Sequence, residues 1–190
     1  MSENIVKRTL NRSLCIVLND LDYDDIVISR NEIALTWWNE RYFIMELKEI
    51  MLNDLIIFDE GIRSKDDLFD CLAKRLEEQN RVSKAKRIVK DLYKREKETS
   101  TGIEDGFGIP HAKSKYVLEP TVCFAHTGLM EDYVGLDGKP VECVFAILVP
   151  QKAVDLHLDI LSGLSRRLMN QDFRDQLKKA KTAAEVLHIL

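Results

Sequence analysis

Hydrophobic and polar positions change period several times along the chain, and each change predicts a new element. Leu14–Leu18 and Ile26–Ile28 read as short strands around the acidic turn 19–25. From Ala34 to about Met51, the positions Leu35, Trp38, Tyr42 and Met45 recur at helical spacing and predict one apolar helical stripe. Beyond residue 50 the pattern sharpens. Ser64 followed by Asp67 resembles a capping box and opens a helix that buries Leu68, Leu72 and Leu76. A second helix runs over about Ser83–Lys94, with Ile88, Val89, Leu92 and Tyr93 inward. Gly102, Gly106, Gly108 and Pro110 then end helical structure and force a loop into a short extended run.

Thr121 to Thr127 alternates like a strand. Val141 to Val149 is nearly continuously apolar and stops at Pro150, as expected of a strand covered on both faces. Asp155 is a suitable cap for a helix carrying Ile160, Leu161, Leu164 and Leu168. A short helix near Asp172–Lys179 follows, and Thr182 with Glu185 forms a capping box for the last one. Interleaved helices and strands define an α/β class with a small mixed sheet flanked by helices. The first 48 residues are too short a piece to bury a core alone. They read as an extension packed on a main domain at 49–190, or as the tail of a preceding module.

Composition narrows the function. The chain has 190 residues and a net charge of −4, without the positive excess that nucleic-acid binding requires. No apolar run approaches the roughly 20 residues that span a bilayer, and the N-terminus lacks a signal-type apolar stretch. Cys15, Cys71, Cys123 and Cys143 lie far apart, which predicts reduced thiols and a cytoplasmic protein. Asp20, Asp22 and Asp24 begin like a calcium loop, but Asp25 and Asn31 stand where it needs glycine and glutamate. Walker, H-E-x-x-H and G-x-S-x-G motifs are absent.

Four histidines remain. His111 follows the φ-restricted Pro110 at the end of a glycine-rich loop, where a ring is held stiffly and approached closely. On local sequence alone, a histidine that merely ends a turn is an equally open reading. His157 stands in the first turn after Asp155, where a helix N-terminus favours anions and neutral imidazole. Its helical face continues through Leu161 and Leu164, so the ring points inward, as a buried structural histidine or as a donor into a cleft. His126, with Val122 and Phe124, reads as a satisfied interior or edge histidine, and His188 as an exposed one. Arg95-Glu96 ends the second helix beside the loop. An arginine there fits an anion, although the run from Lys84 to Lys97 also reads as a solvated helix face.

These residues resemble the enzyme IIA family of the fructose, mannitol and nitrogen-regulatory (type 2) branch of the sugar phosphotransferase system. The resemblance covers about residues 50–190 and rests on three blocks: Arg95-Glu96 through Thr101 to Gly106–His111, Leu136–Val141, and Asp155–Leu161 with Leu164–Leu168 and Phe173. Gly108 stands where alanine is commonest. His111–Ser114 and the Leu-Asp-Gly-Lys-Pro block resemble fructose-type members most.

The resemblance implies a mixed five-stranded sheet with helices on both sides and a chemistry without metal or cofactor. It implies that His111 takes phosphate from HPr and passes it to a cysteine of an enzyme IIB, with a membrane enzyme IIC downstream. His157 would then steady the phosphoryl group, Arg95 neutralise it, and Asp105 orient the ring where members often carry glutamate. An apolar patch around the site would dock both partners, with Phe107 either part of it or core. Residues 1–48 have no counterpart in the family, and an enzyme IIB loop is absent, so the chain reads as a separate component or a piece of a longer one. A regulatory role for the same domain type is the alternative. A histidine-dependent hydrolase or metal site lacks a third ligand or acidic partner at suitable spacing.

Overall fold

The structure, a computed structural model, describes residues 47–190. The strands at 14–18 and 26–28, most of the helix from 34 to 51, and Cys15 lie outside the described residues. Residues 47–50 are helical, with Leu47 and Met51 buried.

A 3-10 turn, Asn53–Leu55, leads into strand β1, Ile56–Asp59. Helix α1, Lys65–Glu78, starts as its sequence signals: the Asp67 N–H donates to Ser64 Oγ at 3.1 Å. Helix α2, Ala85–Glu96, starts two residues later than expected, and its N-cap Lys84 makes no side-chain capping bond. The cap comes from α1 instead, where Glu77 Oε1 accepts from the Ala85 N–H at 2.9 Å. Strands β2, Phe107–Gly108, and β3, His111–Ser114, follow, then β4, Thr121–Val134, and β5, Pro140–Pro150. Helices α3, Val154–Leu168, α4, Gln171–Lys179, and α5, Ala183–Ile189, close the chain.

The expected five-stranded mixed sheet is present. Its order is β1-β4-β5-β2, with β3 also paired to β5. β4 and β5 are antiparallel; β1 on β4, and both β2 and β3 on β5, are parallel. β4 runs seven residues past the expected end at Thr127, because register shifts between His126 and Val134 let it continue beyond Gly128. Irregular pairing of this kind hides a strand from a strict two-residue period.

Alternation along β5 builds two cores. Val144, Ala146 and Leu148 join Leu68, Leu72 and Leu76 of α1 and Ile88 and Leu92 of α2. Cys143, Phe145, Ile147 and Val149 join Ile160 and Leu164 of α3, Leu177 of α4 and Val186 of α5. Helices therefore cover both faces, and residues 143–149 of β5 are all fully buried. Phe145 packs its ring 4.9 Å from that of Phe124. Phe145→Ala should lower unfolding free energy by about 3–5 kcal/mol in a urea titration. A loss under about 1 kcal/mol would show that this layer is not close-packed.

Candidate functional site

The parallel pairing of β3 with β5 sets His111 beside Ile147 at the sheet edge. Pro110 contributes its carbonyl to that pairing, accepting from the Ile147 N–H at 2.9 Å. The His111 ring is half-buried and both its nitrogens are engaged. Nδ1 lies 2.8 Å from the Ile109 carbonyl oxygen, and Arg95 Nε lies 2.9 Å from Nε2. A carbonyl only accepts and a guanidinium only donates, so Nδ1 carries the proton and Nε2 carries the lone pair. The neighbours thus fix one neutral tautomer. Burial is the largest influence on the pKa of His111 and lowers it; the Ile109 bond raises it, Arg95 lowers it, and Glu96 and Glu98 raise it. The balance lies below the usual 6.5, which favours the neutral ring.

The loop between α2 and β2 is built tightly. Gly106 takes φ +76°, the left-handed turn conformation that glycine adopts without steric cost. Gly108 leaves no room for a methyl, since a Cβ there would lie 2.7 Å from Tyr133 Oη. Tyr133 thus fills the space that the commoner alanine needs. Glu96 accepts from Lys65 Nζ at 3.0 Å and from Thr101 Oγ1 at 2.6 Å, while Thr101 Oγ1 and Tyr133 Oη lie 2.5 Å apart. Sequence reasoning quoted Glu96 and Thr101 only as part of a motif and missed Lys65 and Tyr133. Their separations of 31 residues from Glu96 and 32 from Thr101 carry no local signal.

His157 is brought to His111, with ring centroids 5.2 Å apart. It is buried, and its Nδ1 has no hydrogen-bond partner among the described residues. Burial first, then His111, Lys113 and Arg95, pull its pKa down to about 4, so the ring is neutral near pH 7. The expected cap at Asp155 is corrected: α3 opens at Val154, with Ala153 as N-cap and no side-chain capping bond. The His157 N–H already donates to the Ala153 carbonyl at 3.3 Å, so it lies just past the unpaired amides of the helix start.

Asp105 does not meet the ring. Its carboxylate accepts from Arg174 Nε at 3.1 Å, Gln171 Nε2 at 3.2 Å and Lys178 Nζ at 3.1 Å, all on α4. Burial pushes its pKa up, but the bonds from Lys178, Arg174 and Gln171 outweigh it and hold the pKa below the usual carboxylate value. Asp105 orients the loop rather than the imidazole, because both His111 nitrogens are already taken. Phe107 is fully buried and belongs to the core. His126 is half-buried beside Phe58 and lines a cleft of about 990 Å³ with Arg63, Thr127 and Lys178, away from His111. His188 is exposed. Among the described residues, no group of three metal-ligating side chains converges.

A neutral imidazole with a directed lone pair, a guanidinium on that nitrogen and a second neutral histidine nearby are chemically suited to receiving an anionic group. The family model described as phosphoenolpyruvate-dependent sugar phosphotransferase system, EIIA 2, matches residues 49–190. The chain belongs to this family and is an enzyme IIA phosphotransferase component. It is 35% identical over 147 residues to the PTS system fructose-specific EIIA component of Haloferax volcanii, covering 77% of this chain and 96% of the relative. It is 36% identical over 106 residues to the nitrogen regulatory protein of Pseudomonas aeruginosa, covering 56% of this chain and 69% of the relative. The crystal structure of nitrogen regulatory protein IIA-Ntr from Neisseria meningitidis superposes with a TM-score of 0.71 at 32% identity, covering 76% and 98% of the two chains.

Two pH effects follow. Arg95→Ala removes a charge that lowers the His111 pKa, so a proton NMR titration of the ring should show that pKa rising; an unchanged or lower value would contradict the contact. His157 has a folded pKa of about 4 against an ordinary value of 6.5. Its contribution to stability is full above 6.5 and falls as pH drops toward 4, because the unfolded chain takes up the proton first. The slope is at most about 1.4 kcal/mol per pH unit. Urea titrations at pH 7 and pH 5 should show His157→Asn losing less stability on acidification than the wild type. Equal losses would contradict a depressed pKa.

Proposed function

We propose that the chain is a phosphohistidine carrier of sugar uptake, taking phosphate from phospho-HPr on His111 Nε2 and passing it to a cysteine of a fructose-type enzyme IIB. Membrane enzyme IIC acts downstream, and the carrier works in the cytoplasm with residues 1–48 as an extension of the enzyme IIA domain. The observation that carries this reading is the two-sided hold on His111, which leaves the lone pair on Nε2 and the proton on Nδ1.

In the first transfer a bond forms from Nε2 to phosphorus as the donor's nitrogen–phosphorus bond breaks. In the second, the acceptor thiolate displaces phosphorus from Nε2, which recovers its electron pair. The Nδ1–H bond to Ile109 supports the positive character that the ring gains while phosphorylated, and so keeps it a good leaving group. Arg95 supplies permanent positive charge to the phosphoryl oxygens. His157, neutral and with an unpaired Nδ1, supplies a donor. The protein thus contributes positioning and charge stabilisation rather than covalent chemistry of its own. Leu158, next to His157 and 59% exposed, supports an apolar contact with a partner protein.

A regulatory role, in which phosphorylation controls partner binding, is the second reading. It is favoured by the similar identities to the fructose-specific component and to the nitrogen regulatory protein.

The test is labelling by phosphoenolpyruvate, enzyme I and HPr, followed by presentation of enzyme IIB. Acid-labile, base-stable label should appear on wild type and vanish in His111→Ala. His157→Ala should take label and pass it on about 100–1000-fold more slowly, the scale expected for losing one positioned donor. Label that moves to the IIB cysteine supports sugar uptake, and label that stays put favours regulation. Label that survives in His111→Ala sinks both readings.

A further inference from the structure

We propose that Glu96 is the positioning residue of the transfer site, setting through Thr101 the Ile109 hydrogen bond that holds His111 Nδ1. This rests on the carrier reading above. The Glu96 side chain is 8% exposed, and its carboxylate is filled from several directions. Oε1 accepts from Lys65 Nζ at 3.0 Å and Ser100 Oγ at 3.4 Å; Oε2 accepts from the Thr101 N–H at 3.2 Å and Thr101 Oγ1 at 2.6 Å.

From Thr101 a continuous path reaches the ring. The Thr101 carbonyl accepts from the Ile109 N–H at 2.9 Å, and the Ile109 carbonyl accepts from His111 Nδ1–H at 2.8 Å. On the other side, Arg95 precedes Glu96 on α2, donates from Nη1 to the Thr99 carbonyl at 2.9 Å and donates from Nε to His111 Nε2. Glu96 therefore stands at the root of the Ile109 arm, next in the chain to the residue that supplies the other.

A shielded ion pair is weak evidence of stabilisation, since well-packed apolar residues often do as well. Here Lys65 also lies 4.6 Å from the centre of the Tyr133 ring, and Tyr133 Oη reaches Thr101 Oγ1. The network thus locks the Thr101 hydroxyl in one orientation at the start of the loop. A displacement of about 1 Å at a reacting group is enough to cost ~100-fold in rate. The charged and titratable groups around His111 are Arg95 and Glu96 of α2, Glu98 of the loop, Lys113 of β3 and His157 of α3. Of these, Glu96 alone has its side chain bonded to Thr101, whose carbonyl holds the Ile109 N–H.

The test uses Glu96→Gln, Thr101→Val and Thr101→Ser in the full chain, read by the ¹⁵N chemical shifts of the His111 ring and by single-turnover transfer from phospho-HPr. In Glu96→Gln and Thr101→Val the ring should shift from the single Nδ1–H form to a mixture of tautomers. Transfer should slow about 10–100-fold, with half-saturation by phospho-HPr unchanged. Thr101→Ser should restore both readouts. If Glu96→Gln does not fold, the Thr101 pair alone decides. Wild-type tautomer and rate in folded Thr101→Val would overturn the proposal, as would slowing that Thr101→Ser does not rescue. The ring shifts need no phosphate, so they judge Glu96 even if wild type takes no label and the carrier reading falls.

Discussion

The arrangement depends on one imidazole gripped from opposite sides by partners that cannot exchange roles. Ile109 offers His111 only an acceptor and Arg95 only a donor. That asymmetry selects a tautomer without a metal, a carboxylate or a bound proton donor. Burial and the guanidinium then keep the ring neutral, opposing the Ile109 bond and the nearby acids. A carboxylate partner on Nδ1 would instead hold the ring's positive form more firmly and raise its pKa. The backbone carbonyl avoids that, which leaves the free ring neutral with its lone pair available on Nε2.

The rest of the fold holds this grip in register. β5 is the central support: it pairs with β4 on one side and with both β2 and β3 on the other, so Phe107–Gly108 and His111–Ser114 are fixed on a single buried strand. α1 and α2, on one face, bring Lys65, Arg95 and Glu96 to the loop. α3 on the other face brings His157. α4 holds the loop through Asp105. Four helices thus converge on the loop and the ring it presents.

What was legible in the sequence was local. Ser64 with Asp67, and Thr182 with Glu185, marked helix starts because a cap needs only its own third neighbour. The apolar run at 141–149 declared a doubly covered strand, and the glycines with Pro110 declared the loop. His111, His157 and Arg95 were singled out by motif, and the structure brings them together. What failed depended on distant partners. Asp155 has the right chemistry for a cap, but the chain enters α3 two residues earlier, with Ala153 as the N-cap. Asp105 was expected at the ring only by resemblance to members with glutamate there, yet three side chains of α4, more than 60 residues away, hold it instead. Glu96 was visible only as the neighbour of Arg95 in a motif, because Lys65 and Thr101 reach it through the fold. The start of α2, capped from α1 by Glu77, was invisible for the same reason.

The most direct measurement identifies the phosphorylated nitrogen. Phosphoprotein carrying ¹⁵N-labelled histidine would be prepared and the ³¹P–¹⁵N couplings of the His111 ring recorded. A phosphoryl group on Nε2, with the proton retained on Nδ1, is the result that the Arg95 and Ile109 contacts predict. Phosphate on Nδ1, or on any ring other than His111, would contradict the account.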